Sequence, residues 1–499
     1  MFIYDQNQAQ AGRVALIVCG RKHMVQVSRR EFSMGALLGA TMLSGCLQPG
    51  QAAGAGKAKN LLLIVIDDLN DWVTALGDHP QVNTPHIDAL AASGTVFTNA
   101  HAQAPICGPS RASLFSGLYP AQTGIYGQIK DADLGPAVAA VSPTLLLPQY
   151  LRSHGFFTAG RGKVSHQGGQ EGMFDEYHAR SAKNGDYGPK PEKRIKWDSD
   201  KTHTDWGAHP DTDAEMIDHI TATWGAQFLQ REHTQPFMLA LGFVRPHVPW
   251  YVPQHWLDKF PLDEIEMPKV LANDLGDVPQ AARDLAAVPQ MPTLEWAMEN
   301  NEWRPIMQAY LASIAFVDHC VGMVMESLRA SGRSEDTLVC LASDNGYHLG
   351  EKQRFAKMSL WERSTRVPLM FAGPGIRPQV ITDPVGLIDI YPTTIDILGL
   401  PANTENAGRS LAPLLTLGQA LPVEPQLSVY GEGNYAVIDQ RYRYIRYADG
   451  SEELYDHEND PMEWTNLAER PEVAEVKQRL GRYIPANALP EFPSPTAAS

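Results

Sequence analysis

The chain has 499 residues, with 41 Lys plus Arg against 57 Asp plus Glu and a formal net charge of −16. That excess of negative charge excludes broad nucleic-acid binding, and a content of 43% hydrophobic and 20% charged residues excludes disorder, collagen and coiled coil. The length exceeds what one small core serves, and 41 Gly with 37 Pro fit a loop-rich α/β enzyme better than a helical bundle.

The N-terminus reads as an address. Ser28-Arg29-Arg30-Glu31-Phe32, followed by the weakly apolar run Met34 to Leu43, resembles a twin-arginine export signal. Ser33 stands where that signal usually has a hydrophobic residue, and Met24 is an alternative start that gives a signal of normal length. Leu43-Ser44-Gly45-Cys46 is similar to a bacterial lipobox, in which cleavage leaves Cys46 to carry the lipid. The expected division is an export signal at 1–45, a lipidated flexible tether at 46–59, a main domain at 60–420, a smaller C-terminal subdomain at 421–490 and a frayed tail at 491–499. This implies a periplasmic or cell-surface protein whose only membrane attachment is the lipid at Cys46, since no run is apolar for long enough to span a bilayer as a permanent helix.

Leu61 to Ile66 is a continuous apolar run of strand length, suited to a parallel strand buried on both faces, and it ends in Asp67-Asp68. A helix follows with Thr84 as N-cap and Pro85 in its first turn, closed by Gly94. The strand-like Thr95 to Asn99 leads to Cys107, with Pro109 marking a helix start. Phe156 to Ala159 precedes Gly162-Lys163 and His166; Phe237 to Phe243 leads into Arg245-Pro246-His247; Leu338 to Ala342 leads into Asp344-Asn345. Four apolar runs thus deliver acid–base or metal-ligand residues at their carboxyl ends, where open α/β sheets place their sites. Ala214 to Leu229 and Met307 to Leu328 have apolar residues at helical spacing and read as covering helices. From about Leu421 short aromatic alternations, Tyr435 to Ile438 and Tyr442 to Tyr447, predict a small antiparallel sheet, with a closing helix from Pro471 to Tyr483.

Three cysteines remain beyond the signal, an odd count that allows at most one disulfide. Cys320 on a helical pattern and Cys340 in a strand read as packing residues. Cys107 differs, because a helix start favours anions; on position alone it is either a thiol nucleophile or a packing residue. Asp67, Asp68, Asp344 and the amide oxygen of Asn345 form an all-oxygen donor set suited to Ca²⁺, or to Mg²⁺ in a smaller cavity, although paired aspartates at a strand end also serve as caps.

The segment Cys107-Gly108-Pro109-Ser110-Arg111, with Ser116-Gly117 downstream, resembles the sulfatase signature; Phe115 stands where Leu is usual. The resemblance runs from Asn60 to about Leu467 and is nearest the iduronate-2-sulfatase branch. It is carried by Ile66-Asp67-Asp68-Leu69, Gly162 to His166, Arg245 to Pro249, Ser343 to Lys352, and Leu454-Tyr455-Asp456 with Asp460-Pro461 and Asn466-Leu467. Asn345 stands where that branch often has His.

The resemblance implies an alkaline-phosphatase-like α/β sandwich, with a mostly parallel central sheet flanked by helices and a smaller C-terminal antiparallel sheet. It implies that a maturation enzyme oxidises Cys107 to Cα-formylglycine, whose hydrate attacks sulfur with one hydroxyl and expels sulfate with the other, beside a divalent metal bound by Asp67, Asp68, Asp344, Asn345 and residue 107. Arg111 and Lys163 would hold the hydrated aldehyde, and His166 would deprotonate its second hydroxyl. His247 and Lys357 would bind sulfate and protonate the leaving oxygen, each cation contributing about 10²–10³ in rate. Ser110, His348, Glu351 and Lys352 would flank the substrate, expected to be a sulfated oligosaccharide such as a 2-O-sulfated uronate in glycosaminoglycan fragments. Two competing readings are a phosphodiesterase or phosphonate monoester hydrolase on the same core, and a non-catalytic glycan-binding lipoprotein.

Overall fold

Asn60–Ile66 is fully buried, and its alternate residues serve two different cores. Leu62, Ile64 and Ile66 join one cluster while Leu61, Leu63 and Val65 join the other, as a strand covered on both faces requires. Phe237–Phe243 and Thr337–Ser343 alternate in the same way. This computed structural model describes residues 58–493 except 78, 167–171, 181–186 and 200. The expected export signal, the lipobox with Cys46, residues 46–57 of the tether and 494–499 of the tail lie outside the described residues.

The central sheet has eight strands in the order Gln379–Ile381, Gly94–Phe97, Leu369–Ala372, Thr337–Ser343, Asn60–Ile66, Phe237–Phe243, Phe157–Gly162 and Glu176–His178. Every pairing is parallel except the two made by Leu369–Ala372, which runs against both neighbours. One face is covered by Ile217–Leu229 and the long Trp303–Ala330, the other by Cys107–Ser116, Asp131–Val141, Leu147–Ser153 and Ile390–Ile397. Trp303–Ala330 is long and apolar enough to cross a membrane by length and composition, but most of its apolar stretch is buried against the sheet as a core helix. The doubly covered sheet is the α/β sandwich expected from the strand pattern.

The helix Pro85–Ser93 starts after Thr84 as expected, but Gly94 closes it in another way. It sits in extended conformation, φ −145°, and is the first residue of the next strand, where a side chain would run into the Phe371 carbonyl. Cys320 and Cys340 are buried and free, packed on opposite faces of the sheet, and Cys107 is also free.

The C-terminal sheet is a four-stranded meander of Gln426–Val429, Tyr435–Ile438, Tyr442–Arg446 and Glu452–Asp456. One face carries Val429, Val437 and Leu454 against Leu480 of the closing helix Ala474–Gly481. The other carries Ala436, Ile438 and Ile445 against Leu360 and Trp361, so it backs directly onto the loop that follows Asp344.

Candidate active site

The register explains why four separate sequence motifs meet. Ile66 pairs with both Phe243 and Ser343, and Gly162 pairs with Gly242, so these strands end in one row. The row is continued one residue further: the amides of Asp67, Asp344 and Lys163 donate to the carbonyls of Phe243, Ile66 and Gly242 at 3.1, 3.1 and 2.8 Å. Glycine at 242 is required here, because any Cβ would overlap the Lys163 backbone.

Cys107 opens the helix Cys107–Ser116, all ten residues of which are buried. Its Sγ lies 3.3 Å from Asp67 Oδ1, 2.8 Å from Lys357 Nζ and 3.5 Å from Lys163 Nζ. Lys163 is ion-paired with Asp67, and Lys357 with Asp68. Arg111 meets Asp344 at 2.7 Å and Asp67 at 3.5 Å, and also donates to the carbonyls of Lys163 and Val164. Three carboxylates and three cations therefore interlock around one sulfur atom.

Burial pushes the Cys107 thiol up to about 12; Asp67 adds to the rise, and Lys163 and Lys357 only partly oppose it. The thiol is thus protonated at neutral pH and is a poor nucleophile as it stands. Burial would raise Asp67 too, but Lys163, with Lys357 and Arg111, holds it well below the usual carboxylate range. Asp68 goes the other way, up to about 6, because burial and the neighbouring Asp67 and Asp344 outweigh Lys357 and Lys163. Burial opposes the charge on Lys163 and on Lys357, yet Asp67 and Asp68 respectively reverse the balance and keep both ammonium groups protonated.

The donor set fits a hard divalent cation. Asp67, Asp68 and Asp344 each place a carboxylate oxygen within 4.8 Å of the others. Beside them, Asp68 Oδ2 and Asn345 Oδ1 are buried with no hydrogen-bond partner among the described residues, and such orphaned oxygens are costly unless something positive meets them. Asn345 Nδ2 meanwhile donates to Asp68 Oδ1 at 2.8 Å, and the Asp68 amide donates to Asp344 Oδ1 at 3.1 Å.

His247 Nε2 lies 3.8 Å from Asp68 Oδ2. Its Nδ1 is 2.6 Å from the Val248 carbonyl and must donate there, which leaves a lone pair on Nε2. Burial and then Lys163 hold this imidazole well below its ordinary pKa, so it is neutral and the contact with Asp68 is not an ion pair. His166 is lowered for the same two reasons, and its Nδ1 is buried without a hydrogen-bond partner among the described residues.

The structure draws Cys107, Arg111, Lys163, His247, Lys357, Asp67, Asp68, Asp344 and Asn345 together, with His166 close enough to feel Lys163 and Asp67. It gives the four residues expected to flank the substrate other work. Ser110 donates to the Asp344 carbonyl at 2.5 Å and so positions a carboxylate. His348 meets Ser359 at 3.1 Å, Glu351 accepts from the Leu349 amide at 2.7 Å, and Lys352 is ion-paired with Asp274 at 2.6 Å. All three are buried, and for Glu351 and Lys352 a charge taken out of water needs a fixed partner.

Three contributors were missed. Tyr187 stacks on His247 with ring centres 4.7 Å apart and lies beneath Lys163 Nζ at 5.4 Å. Asp218 accepts from the Val244 and Arg245 amides at 2.7 and 2.8 Å and so fixes the loop that carries His247. Gln128 Oε1 accepts from the Gly108 amide at 2.8 Å, at the helix start beside Cys107. Tyr187 and Gln128 lie in polar stretches with no periodic signal; Asp218 sits in the first turn of a predicted helix, where an acidic residue is ordinary.

The Sulfatase family model matches residues 59–400, and a model described as N-sulphoglucosamine sulphohydrolase, C-terminal, matches 350–487. A protein of Formosa agariphila named Sulfatase is 42% identical, over 82% of this chain and 83% of its own length. Choline-sulfatase of Rhizobium meliloti is 30% identical over 83% of each chain, and mouse (Mus musculus) iduronate 2-sulfatase 30% identical over 80% of this chain and 75% of its own. Among solved structures, a phosphonate monoester hydrolase of Agrobacterium radiobacter superposes with TM-score 0.67 at 21% identity, over 85% of this chain and 94% of its own. A 2-O GAG sulfatase superposes with TM-score 0.65 at 24% identity, over 85% and 90%. At these identities the two structures speak for the fold, which is the alkaline-phosphatase-like sandwich expected from the sequence.

Proposed function

The chain belongs to the sulfatase family, the hydrolases of sulfate esters, and from that premise we propose that it desulfates short sulfated sugars, with the 2-O-sulfate of a uronic acid as the preferred bond. The observation that carries the reading is the setting of Cys107: a buried, protonated thiol ringed by Asp67, Lys163 and Lys357 at the positive end of a helix. As a thiol it is unsuited to attack, whereas its oxidised counterpart, the Cα-formylglycine of this family, would occupy a position already lined with cations.

A divalent ion held by Asp67, Asp68, Asp344 and Asn345, with residue 107, would supply Lewis-acid polarisation of a sulfate oxygen and of the nucleophilic hydroxyl. We take it to be Ca²⁺, since the donors are all oxygen. The protein's own groups do the rest. Arg111 locks Asp344 and the Lys163 carbonyl in place, which fixes two strand ends against the helix start. Lys163 and Lys357 stay charged and face the nucleophile from two sides, so they hold the anionic sulfate and screen its approach. Lys357 carries a proton toward the position of the leaving oxygen, and an ammonium remains a stronger acid than an alcohol. His247 offers a lone pair in the free enzyme and acts as a donor only after an anion beside it favours protonation. His166, neutral and unpartnered at Nδ1, is suited to accept a proton from a hydroxyl at residue 107.

The mouse relative's name supports the uronate preference, and the net charge of −16 favours short substrates over a polysulfated polymer. Export, with Cys46 lipidated at the cell surface or in the periplasm, is part of the same proposal.

The test is sulfate release from a panel of sulfated uronate disaccharides, other sulfated sugars and an aryl sulfate, using protein co-produced with a formylglycine maturase and a Cys107→Ala control. Release confined to uronate 2-O-sulfates, and absent from the control, is the expected result. Matured protein that leaves the whole panel intact but cleaves phosphodiesters or phosphonates would overturn the reading.

A further inference from the structure

A cleft of about 770 Å³ lies against the catalytic loop, lined by Met291, Leu294, Phe355 and Trp361 with three cations, Lys352, Arg354 and Arg283, the last donating to the Leu275 and Val278 carbonyls. Lys352 is accounted for by Asp274 and the Glu463 carbonyl. Arg354 is not. It is only 8% exposed, and its Nη2 donates to the Lys357 carbonyl at 2.6 Å, but Nε and Nη1 are buried and meet no acceptor among the described residues. A guanidinium has five donors and cannot shed its charge, so leaving two donors dry in the interior is unfavourable unless an anion arrives. Burial lowers its pKa to about 10, against the opposing pull of the Tyr430 and Tyr347 phenols, so it is charged at neutral pH.

Its position relative to the reacting centre is fixed by covalent geometry. Arg354 holds the carbonyl of the same Lys357 whose ammonium lies 2.8 Å from Cys107 Sγ, so one lysine side chain separates the two cations. The Tyr430 phenol feels the charge of both. That spacing is on the scale of one sugar ring. The acidic residues at the cleft, Glu295 and Glu299, are exposed, and its other buried cation, Lys352, is ion-paired with Asp274, which leaves Arg354 as the buried cation with donors unmet among the described residues.

We propose that Arg354 is the anion-recognising residue of a second subsite, binding a second anionic group of the substrate, a carboxylate or sulfate, about one sugar ring away from the sulfate ester that is lost. The proposal rests on the sulfatase reading and narrows its substrate class to sugars with a second anionic group. Its unmet Nε–H and Nη1–H can each give an anion's oxygen a charge-assisted hydrogen bond.

The test compares matured wild type, Arg354→Gln and Arg354→Lys on three substrates: a sulfated uronate disaccharide, the same disaccharide with its carboxyl reduced to an alcohol, and an aryl sulfate with a single anionic group. The expected result is a fall on the order of 100-fold in the ratio of kcat/KM for the acidic disaccharide to that for the aryl sulfate in Arg354→Gln, carried by KM, with partial rescue in Arg354→Lys. Repeating the comparison with a disulfated neutral disaccharide separates carboxylate from sulfate as the recognised group. An equal loss on acidic disaccharides and aryl sulfate would overturn the proposal, since it would mean that Arg354 only holds the Lys357 carbonyl.

One arm needs no variant: in wild type, the desulfated acidic disaccharide should inhibit aryl sulfate turnover at least tenfold more strongly than its carboxyl-reduced form, as loss of a buried charge pair implies. Equal inhibition would overturn the subsite while leaving the sulfatase reading intact. Wild type that releases sulfate from nothing would instead remove the reading on which the subsite stands.

Discussion

At the scale of single residues, the site works by opposing terms that are each large. Burial alone would discharge Asp67, Lys163 and Lys357, and only their mutual proximity keeps them ionised. Removing one partner therefore leaves an uncompensated buried charge: Lys163→Ala should lower kcat by about 10²–10³ and should also destabilise the fold. Thermal unfolding measured beside turnover separates the two effects, and an unchanged kcat would contradict the role given to Lys163. Cys107 yields a second prediction. With a thiol near 12 and 1% exposure, unmatured protein should resist alkylation at Cys107 at pH 8 until it is denatured, as read by mass spectrometry of the peptide; rapid alkylation of native protein would show that the sulfur is more open than its surroundings allow. A third concerns the orphaned oxygens of Asp68 and Asn345. Ca²⁺ at a hundred times its Kd should stabilise the protein by about 2.7 kcal/mol, and Asn345→Ala should shrink that gain; equal Tm in chelator and in Ca²⁺ would count against the ion site.

Elements, not residues, decide where these groups meet, and here the sequence was informative to an uneven degree. Asn60–Ile66, Phe237–Phe243 and Thr337–Ser343 were legible because a strand buried on both faces has no choice but to be apolar throughout, and each ends abruptly in charge or Pro. Leu369–Ala372 was not read as a strand: four apolar residues between two prolines carry no period, and its antiparallel direction is set by neighbours far along the chain. Most of the site residues were found through motifs at strand ends, whereas Tyr187 was invisible because it reaches His247 only through the tertiary fold. Ser110, His348, Glu351 and Lys352, expected to flank the substrate, also have partners within the fold that the sequence did not disclose, because those partners are set by tertiary packing. The element-level prediction is Gly242→Ala. A methyl group there collides with the Lys163 backbone, so the variant should lose about 1–3 kcal/mol and more activity than that loss of stability alone explains.

Across the whole molecule, the C-terminal sheet is fastened to the catalytic loop by buried charge. Arg443 of the sheet pairs with Glu362 and, at 2.8 Å, with Glu463; His457 meets Glu463 at 2.9 Å, and Lys352 reaches the Glu463 carbonyl. Burial would lower the His457 pKa, but Glu362 and Glu463 outweigh burial and the repulsion of Arg443, and raise it above 6.5. The sign follows: a raised imidazole stabilises the fold fully below its ordinary pKa, and the benefit disappears as pH rises through the folded value. His457→Gln should accordingly cost about 1–3 kcal/mol at pH 6 and progressively less toward pH 9, measured by denaturant unfolding. A cost that grows with pH would reverse the argument.

The helix Cys107–Ser116 has a bearing on chronology. All ten of its residues are interior, and the Gly108 amide beside Cys107 is already held by Gln128. On the proposal that Cys107 is converted to formylglycine, the maturase would need access to a side chain that this packed helix leaves 1% exposed. The conversion would then have to precede folding, and a chain that folded first would be left well formed but unmodified. Maturase supplied during synthesis should give active protein, while the same maturase added to purified folded chain should give none.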